Sequence, residues 1–311
     1  MSGSMKVENE RAQSAETAYA LFLGCYIPTK VPSMEKSARV ILSRLGTELI
    51  DIENASCCPD PIVVRGVDYR AWLALAARNL SLAEEMDLDI LTLCSGCFET
   101  LKTANVMLRE SPGIKKEVNA LLARIGREFK GKVRVKSLVD ILVEEKNGKL
   151  KKMIEHPLRG LKVAVHYGCH LLRPSRVLNT DDPFNPTLLD EIVEEVVGAK
   201  SLRYRRKMWC CGAGARIGDP DLSLEVAREK LKHMSSAGAQ CIALLCPFCQ
   251  VQFDLGQLMI KRKFREDYGI PVLSIPQLIG LAMQIDPNQL GLNLHRTSTK
   301  PFLDAIGLEV Q

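Results

Sequence analysis

Ten cysteines of this chain stand in two copies of one five-cysteine pattern, and no other feature restricts the fold as strongly. The first copy is Cys25, the adjacent pair Cys57 and Cys58, then Cys94 and Cys97. The second is Cys169, the adjacent pair Cys210 and Cys211, then Cys246 and Cys249. Between the first cysteine and the pair lie 31 residues in one copy and 40 in the other; between the pair and the C-x-x-C lie 35 and 34. Self-similarity on this scale implies that one structural design was used twice.

Each copy opens on an apolar run ending in Gly-Cys: Leu21-Phe22-Leu23-Gly24-Cys25, and Val163-Ala164-Val165-His166-Tyr167-Gly168-Cys169. A second apolar run leads into each C-x-x-C, Leu91-Thr92-Leu93 and Ala243-Leu244-Leu245. Each copy closes on a short strand and a helix: Val133 to Val135 then Leu138 to Leu142, and Pro271 to Leu273 then Pro276 to Met283. Strands alternating with helices predict an α/β chain, two Rossmann-like parallel sheets related by a pseudo-two-fold. The expected boundaries are a disordered extension over residues 1–17, a first domain over 18–150, a second over 151–285 and a tail over 286–311. A linker rich in Lys and Glu covers about Glu144 to Gly160.

Three helices are marked by their own chemistry. Asp68 can cap a helix to about Met86, with Trp72, Ala76, Leu80 and Ala83 at helical spacing. Asp219-Pro220 is a cap followed by proline at the first helical position, leading to about Ser235. Asp190 to Val197 is apolar on one side and acidic on the other.

On a parallel sheet every cysteine of a copy falls where a strand ends or a loop begins, so the five converge at the edge where open α/β sheets bind ligands. Five converging thiolates need positive charge, which several irons supply. One zinc takes four ligands and leaves a thiolate over, and adjacent cysteines cannot both point at one small tetrahedral ion without strain. A C-x-x-C between strand and helix also suits a thioredoxin-like dithiol, but the adjacent pairs and the duplication argue against it. Cys241 lies outside the pattern on an apolar strand and reads as a small buried hydrophobe.

Composition narrows the classes further. The chain has 311 residues, of which 46% are hydrophobic, enough for two packed cores. Its net charge of +5 is spread without a basic stripe, which speaks against a nucleic-acid partner and fits a small anionic substrate. No apolar run reaches the roughly 18 residues of a membrane span. The string Leu21 to Cys25 has the look of a lipoprotein box, but the apolar stretch before it is short and its leader carries Glu8, Glu10 and Glu16, so a cytoplasmic location is expected. Eleven cysteines in a reducing compartment point to metal or redox chemistry rather than structural disulfides. No P-loop or dinucleotide fingerprint is present, so no flavin or nucleotide is expected on this chain.

Over about residues 18 to 285 the double pattern resembles the cysteine-rich CCG domains of the B subunit of heterodisulfide reductase. The strings that carry the resemblance are Cys57-Cys58-Pro59, Cys94-Ser95-Gly96-Cys97-Phe98, His166-Tyr167-Gly168-Cys169-His170, Cys210-Cys211-Gly212-Ala213-Gly214 and Cys246-Pro247-Phe248-Cys249. Pro59 stands where the motif's name expects glycine. The resemblance implies two non-cubane 4Fe–4S clusters, one on each set of five cysteines. It implies two-electron reduction of the coenzyme M–coenzyme B disulfide to two thiols. Two clusters facing one cleft could each give one electron and take one sulfur atom, which is a reason for the duplication. It also implies partners: a ferredoxin-like iron–sulfur subunit and a flavin-containing iron–sulfur subunit, with a hydrogenase or formate dehydrogenase module upstream.

Residues beyond the cysteines follow from chemistry and proximity. His170, beside Cys169, is the candidate proton donor to product thiolates, the alternative being a hydrogen bond to cluster sulfur. The resemblance implies a substrate carrying sulfonate and phosphate, for which arginine offers a planar fork. Arg173 and Arg216 are the candidates, while the run Arg203 to Lys207 reads as a solvated loop or a docking face. Two other readings stay open: an enzyme acting on another thiol, disulfide or persulfide, and an electron-transfer or anchoring subunit without a substrate of its own.

Overall fold

In the computed structural model, which describes residues 17–308, the chain builds the same four-stranded sheet twice. The first sheet holds β1 (Thr17–Phe22), β2 (Thr47–Asp51), β3 (Ile90–Thr92) and β4 (Val135–Ser137) in the order β2-β1-β3-β4. The second holds β5 (Lys162–Val165), β6 (Lys200–Ser201), β7 (Cys241–Leu244) and β8 (Val272–Ser274) in the order β6-β5-β7-β8. Every pairing is parallel. The α/β architecture expected from the strand–helix alternation is therefore present in both halves. The expected disordered extension lies outside the described residues, except Thr17, which opens β1.

The order of the strands explains where a ligand can sit. The chain runs from β1 outward to β2 and then crosses back to β3 on the other side of β1; β5, β6 and β7 do the same. Such a reversal opens a crevice at the carboxyl ends of the two central strands. The residues following β1 and β3 are those leading to Cys25 and Cys94, and those following β5 and β7 lead to Cys169 and Cys246.

Helices cover the sheets, beginning with α1 (Pro32–Leu45). Helix α2 (Tyr69–Met86) starts where the sequence places it, with the Asp68 carboxylate accepting from the Ala71 N–H at 2.9 Å. Its Trp72, Ala76, Leu80 and Ala83 are fully buried. Further along come α3 (Ser95–Glu110), α4 (Leu138–Glu145), α5 (Pro220–Ser236), α6 (Pro247–Phe264) and α7 (Ile275–Ala282). Asp219 caps α5 by accepting from the Leu222 N–H at 2.9 Å. Replacing Asp68 or Asp219 with alanine leaves one N–H of the first turn unpaired, and each change is expected to lower stability by about 1 kcal/mol. Urea unfolding of the purified protein measures it.

Two elements depart from expectation. The strand placed at Val133 to Val135 begins at Val135, because the Arg134 N–H is taken by the Asp89 carboxylate at 2.7 Å instead of the ladder. The helix expected over Asp190 to Val197 starts at Leu188, where the Tyr167 hydroxyl accepts from the N–H groups of Leu189 and Asp190, and it continues as a π-turn over Ile192–Val196. The Lys- and Glu-rich linker packs on the chain: Leu150 is fully buried and the His156 N–H donates to the Ala282 carbonyl at 2.8 Å.

The two halves share a hydrophobic core, and α7 of the second packs on α1 of the first. The Ser37 and Ser274 hydroxyls meet there at 3.2 Å. The tail beyond Asp286 packs on the chain itself, burying Leu290, Leu292, Phe302 and Leu303, with Lys36 donating to the Asn288 carbonyl at 2.7 Å.

Candidate metal centre

Each cysteine is aimed by the backbone feature next to it. Gly24 and Gly168, with φ of +66° and +76°, turn the chain at the ends of β1 and β5 and bring Cys25 and Cys169 into the crevice. The backbone passes so close there that a Cβ on Gly24 would stand 2.7 Å from the Cys97 sulfur. Cys94 and Cys246 occupy the cap positions of α3 and α6, and Cys97 and Cys249 follow one turn later on the same helix face. The positive ends of these helices favour thiolates.

The adjacent pairs sit on loops held from behind. Asn79 of α2, fully buried, accepts from the Ser56 N–H at 3.0 Å and donates to the Cys57 carbonyl at 3.0 Å. Lys230 of α5, also fully buried, donates to the carbonyls of Trp209 and Lys207, the latter at 2.8 Å. Gly212, at φ +91°, lets its own N–H and that of Ala213 turn onto the sulfurs of Cys210 and Cys211, at 3.3 and 3.5 Å.

All ten cysteines of the two patterns line one cavity of about 340 Å³ between the halves. The Cys25 and Cys57 sulfurs stand 3.7 Å apart, and those of Cys211 and Cys249 stand 3.3 Å apart. Cys58 meets Cys97, and Cys94 meets Cys246 across the boundary between halves. Crowding drives the thiols apart in acidity. Contact with Cys57 pulls Cys58 down to about 5, and contact with Cys169 pulls Cys210 down to about 2. Contact with a neighbouring thiol, with burial added, pushes Cys25, Cys97, Cys169, Cys211 and Cys249 up. So many sulfurs this close cannot all ionise unless cations stand among them. Iron–sulfur clusters supply such cations, and this donor set fits them.

His170 lines the cavity and faces the buried Glu99 of α3, which pairs with Arg65 at 3.1 Å. Arg216 also lines it. Arg173 does not: its guanidinium donates to the Pro183 carbonyl at 2.7 Å and lies over the Phe184 ring. In the run from Arg203 to Lys207, Arg206 pairs with Glu229 and Lys207 with Asp190, so these two charges are already matched. Cys241 is fully buried within β7 and is not among the cavity-lining residues.

Sequence reasoning left three neighbours of the sulfurs unassigned. His166, wholly buried, brings Nε2 to 3.3 Å from the Cys249 sulfur, and burial holds its imidazole well below the usual range. Lys230 is the second. The third is the stack of Tyr26 on Phe248 at 3.9 Å, which closes the two halves over the cavity. Comparing the repeats position by position would have flagged His166 and Lys230, since their counterparts are chemically different residues.

The model of the cysteine-rich CCG domain matches the chain twice, over residues 19–102 and 163–254. The B subunit of the ferredoxin:CoB-CoM heterodisulfide reductase of Methanosarcina mazei is 45% identical over 92% of this chain and 96% of its own length. The 8-methylmenaquinol:fumarate reductase membrane anchor subunit of Wolinella succinogenes is 35% identical over 88% of this chain and 95% of its own length. A solved structure of a hypothetical protein from Helicobacter pylori superposes with a TM-score of 0.76 at 16% identity, covering 96% of this chain and 58% of that one, a likeness of fold.

Proposed function

The chain belongs to the cysteine-rich CCG domain family that includes the B subunits of heterodisulfide reductases, and from that membership we propose that it is the disulfide-reducing iron–sulfur subunit of a heterodisulfide reductase-type complex. The observation that carries the reading is the single cavity lined by both complete sets of five cysteines. Cys25, Cys57, Cys58, Cys94 and Cys97 would hold one cluster, and Cys169, Cys210, Cys211, Cys246 and Cys249 the other. Bound there, two non-cubane 4Fe–4S clusters would supply one electron each.

The reaction takes one disulfide, two electrons and two protons to two thiols. The coenzyme M–coenzyme B disulfide, for which the Methanosarcina mazei relative is named, is the proposed substrate. Leu23, Val63, Val64 and Phe248 give the cavity apolar walls. His170 stands at the same cavity and is the proposed proton donor. Arg216 is the proposed anchor for a substrate anion, ahead of Arg173, which donates to the Pro183 carbonyl and is not among the cavity-lining residues. Arg216→Gln is expected to raise KM about tenfold with kcat little changed, since it removes binding common to ground and transition states. Steady-state kinetics at varied disulfide checks it.

Ile62 and Ile217 line the cavity yet are 49% and 84% exposed, an apolar rim that suits a covering subunit. The ferredoxin-like and flavin-bearing iron–sulfur subunits are the proposed partners, in the cytoplasm. Among the described residues no helix is long and apolar enough to cross a membrane. The Wolinella relative favours a second reading, an anchoring subunit that passes electrons without a substrate.

Iron analysis together with electron paramagnetic resonance separates the possibilities. The proposal expects about eight irons per chain and a signal of the oxidised protein that changes with the coenzyme M thiol but not with unrelated thiols. Full iron with a signal indifferent to both coenzymes would favour the second reading, and about four irons would remove one cluster.

A further inference from the structure

The two five-cysteine sets are copies, but their surroundings are not. Three positions before Cys25 stands Phe22; three before Cys169 stands His166. Two positions after Cys58 stands Asp60; two after Cys211 stands Ala213. Eleven positions after the cap Asp68 stands Asn79; eleven after the cap Asp219 stands Lys230. Every one of these residues except Phe22 touches or faces its own sulfurs or the loop that carries them, and each pair differs in charge or hydrogen bonding.

The differences run one way. Lys230 and Asn79 do the same structural work, holding the loop of the adjacent cysteines by its carbonyls. Only Lys230 adds a charge, and its ammonium is met by the carbonyls of Arg206, Lys207 and Trp209 with no carboxylate partner among the described residues. That charge acts on Cys249, Cys211, Cys210 and Cys169, four sulfurs of the second set. Burial draws the Lys230 ammonium down to about 8, which leaves it charged at neutral pH. His166 adds a hydrogen-bonding contact to the Cys249 sulfur, where Phe22 offers none. Asp60 lines the cavity, and its negative charge disfavours thiolates at Cys25 and Cys58. Of the other nearby charges, Glu99 pairs with Arg65, Arg206 with Glu229 and Lys207 with Asp190, while Arg216 lines the cavity from the second half and adds to its positive side. His170, on the boundary, faces both Glu99 of the first half and Cys246 of the second.

Adding an electron adds negative charge. A buried cation and hydrogen bonds to sulfur stabilise the reduced form and raise the potential, whereas a nearby carboxylate lowers it. We propose that the two sites are electrically unequal: Lys230 and His166 hold the second-half cluster at the higher reduction potential, and Asp60 holds the first-half cluster at the lower one. The inference rests on the reading that each set binds a cluster. A first electron then comes to rest on the second half, and Lys230 is a tuning and positioning residue rather than a catalytic one.

A potentiometric titration of the full, iron-loaded chain, followed by electron paramagnetic resonance, tests it. The unaltered protein is expected to reduce in two waves. Lys230→Asn, which installs the residue of the first half, should shift the upper wave downward and leave the lower one in place. A tenfold change in the oxidised-to-reduced ratio at a fixed potential, about 59 mV for one electron, is the size expected. Asp60→Asn, which keeps its acceptor oxygen for the Ile62 and Val63 N–H groups, should shift the lower wave upward. Waves that stay put, move together or move in the opposite sense would overturn the inference while sparing the cluster reading. If Lys230→Asn loses iron from the second half, Asp60→Asn alone decides. Absence of iron from the unaltered protein would instead sink the cluster reading itself.

Discussion

With a cluster on each five-cysteine set and the disulfide reaction, both as proposed, replacing Cys249 with alanine should halve the iron, from about eight to about four per chain, and reduce disulfide turnover about a hundredfold or more, beyond the roughly 10–100-fold that losing an outer-shell partner costs a metal site. Cys249 is held from several sides: it lies 3.3 Å from Cys211 and 3.3 Å from the His166 imidazole, and it is buried at the first turn of α6. Alanine removes the sulfur and cannot ligate iron, while its small volume leaves helix and sheet in place. The circular dichroism spectrum should therefore match the unaltered protein. Losing one electron source leaves a two-electron reaction without its second equivalent at the site. Turnover within a few-fold of normal, alongside halved iron, would show that one site suffices and that the other only relays electrons.

Much of this was legible because the cysteines report on backbone geometry. A thiol that follows Gly at the end of an apolar run has to lie at a strand's carboxyl end, and a C-x-x-C that opens a helix has to present both sulfurs on one face. Asp68 and Asp219 marked their helices because a cap is a local event, fixed by residues three positions apart. What failed to show was set by contacts between distant segments. Arg173 and Arg216 looked alike along the chain, but the loop near Pro183 folds back and occupies one of them. The helix near Asp190 starts early because of Tyr167, a residue more than twenty positions away. His166 follows β5 in a run buried on both faces, Val163 to Tyr167, so no alternation could say which way it points or that Cys249 waits there. Lys230 sits on the buried side of α5, where a charged residue contradicts the helical pattern; such a contradiction marks a functional constraint.

The adjacent glycines allow a comparison in which stability and cofactor content should part. Gly24→Ala and Gly168→Ala both place a side chain at positive φ, +66° and +76°; Gly168, with ψ 150°, also lies outside the left-handed helical region, so about 1 kcal/mol of backbone strain is expected at Gly24 and roughly 1–3 kcal/mol at Gly168. They differ in what the new methyl meets. At Gly168 the nearest atom is the Cys249 sulfur at 3.7 Å, an ordinary contact. At Gly24 it is the Cys97 sulfur at 2.7 Å, a collision. In iron-free protein Cys97 can turn its side chain aside, so without iron Gly24→Ala should be no less stable to heat than Gly168→Ala. A sulfur bonded to iron has no such freedom. Gly24→Ala is therefore expected to lose the first-half cluster, about half the iron, on reconstitution, whereas Gly168→Ala should load nearly in full. Equal loading of the two variants would mean that the Cys97 sulfur does not stay near Gly24 when iron is bound, and the first-half ligand set would have to be redrawn.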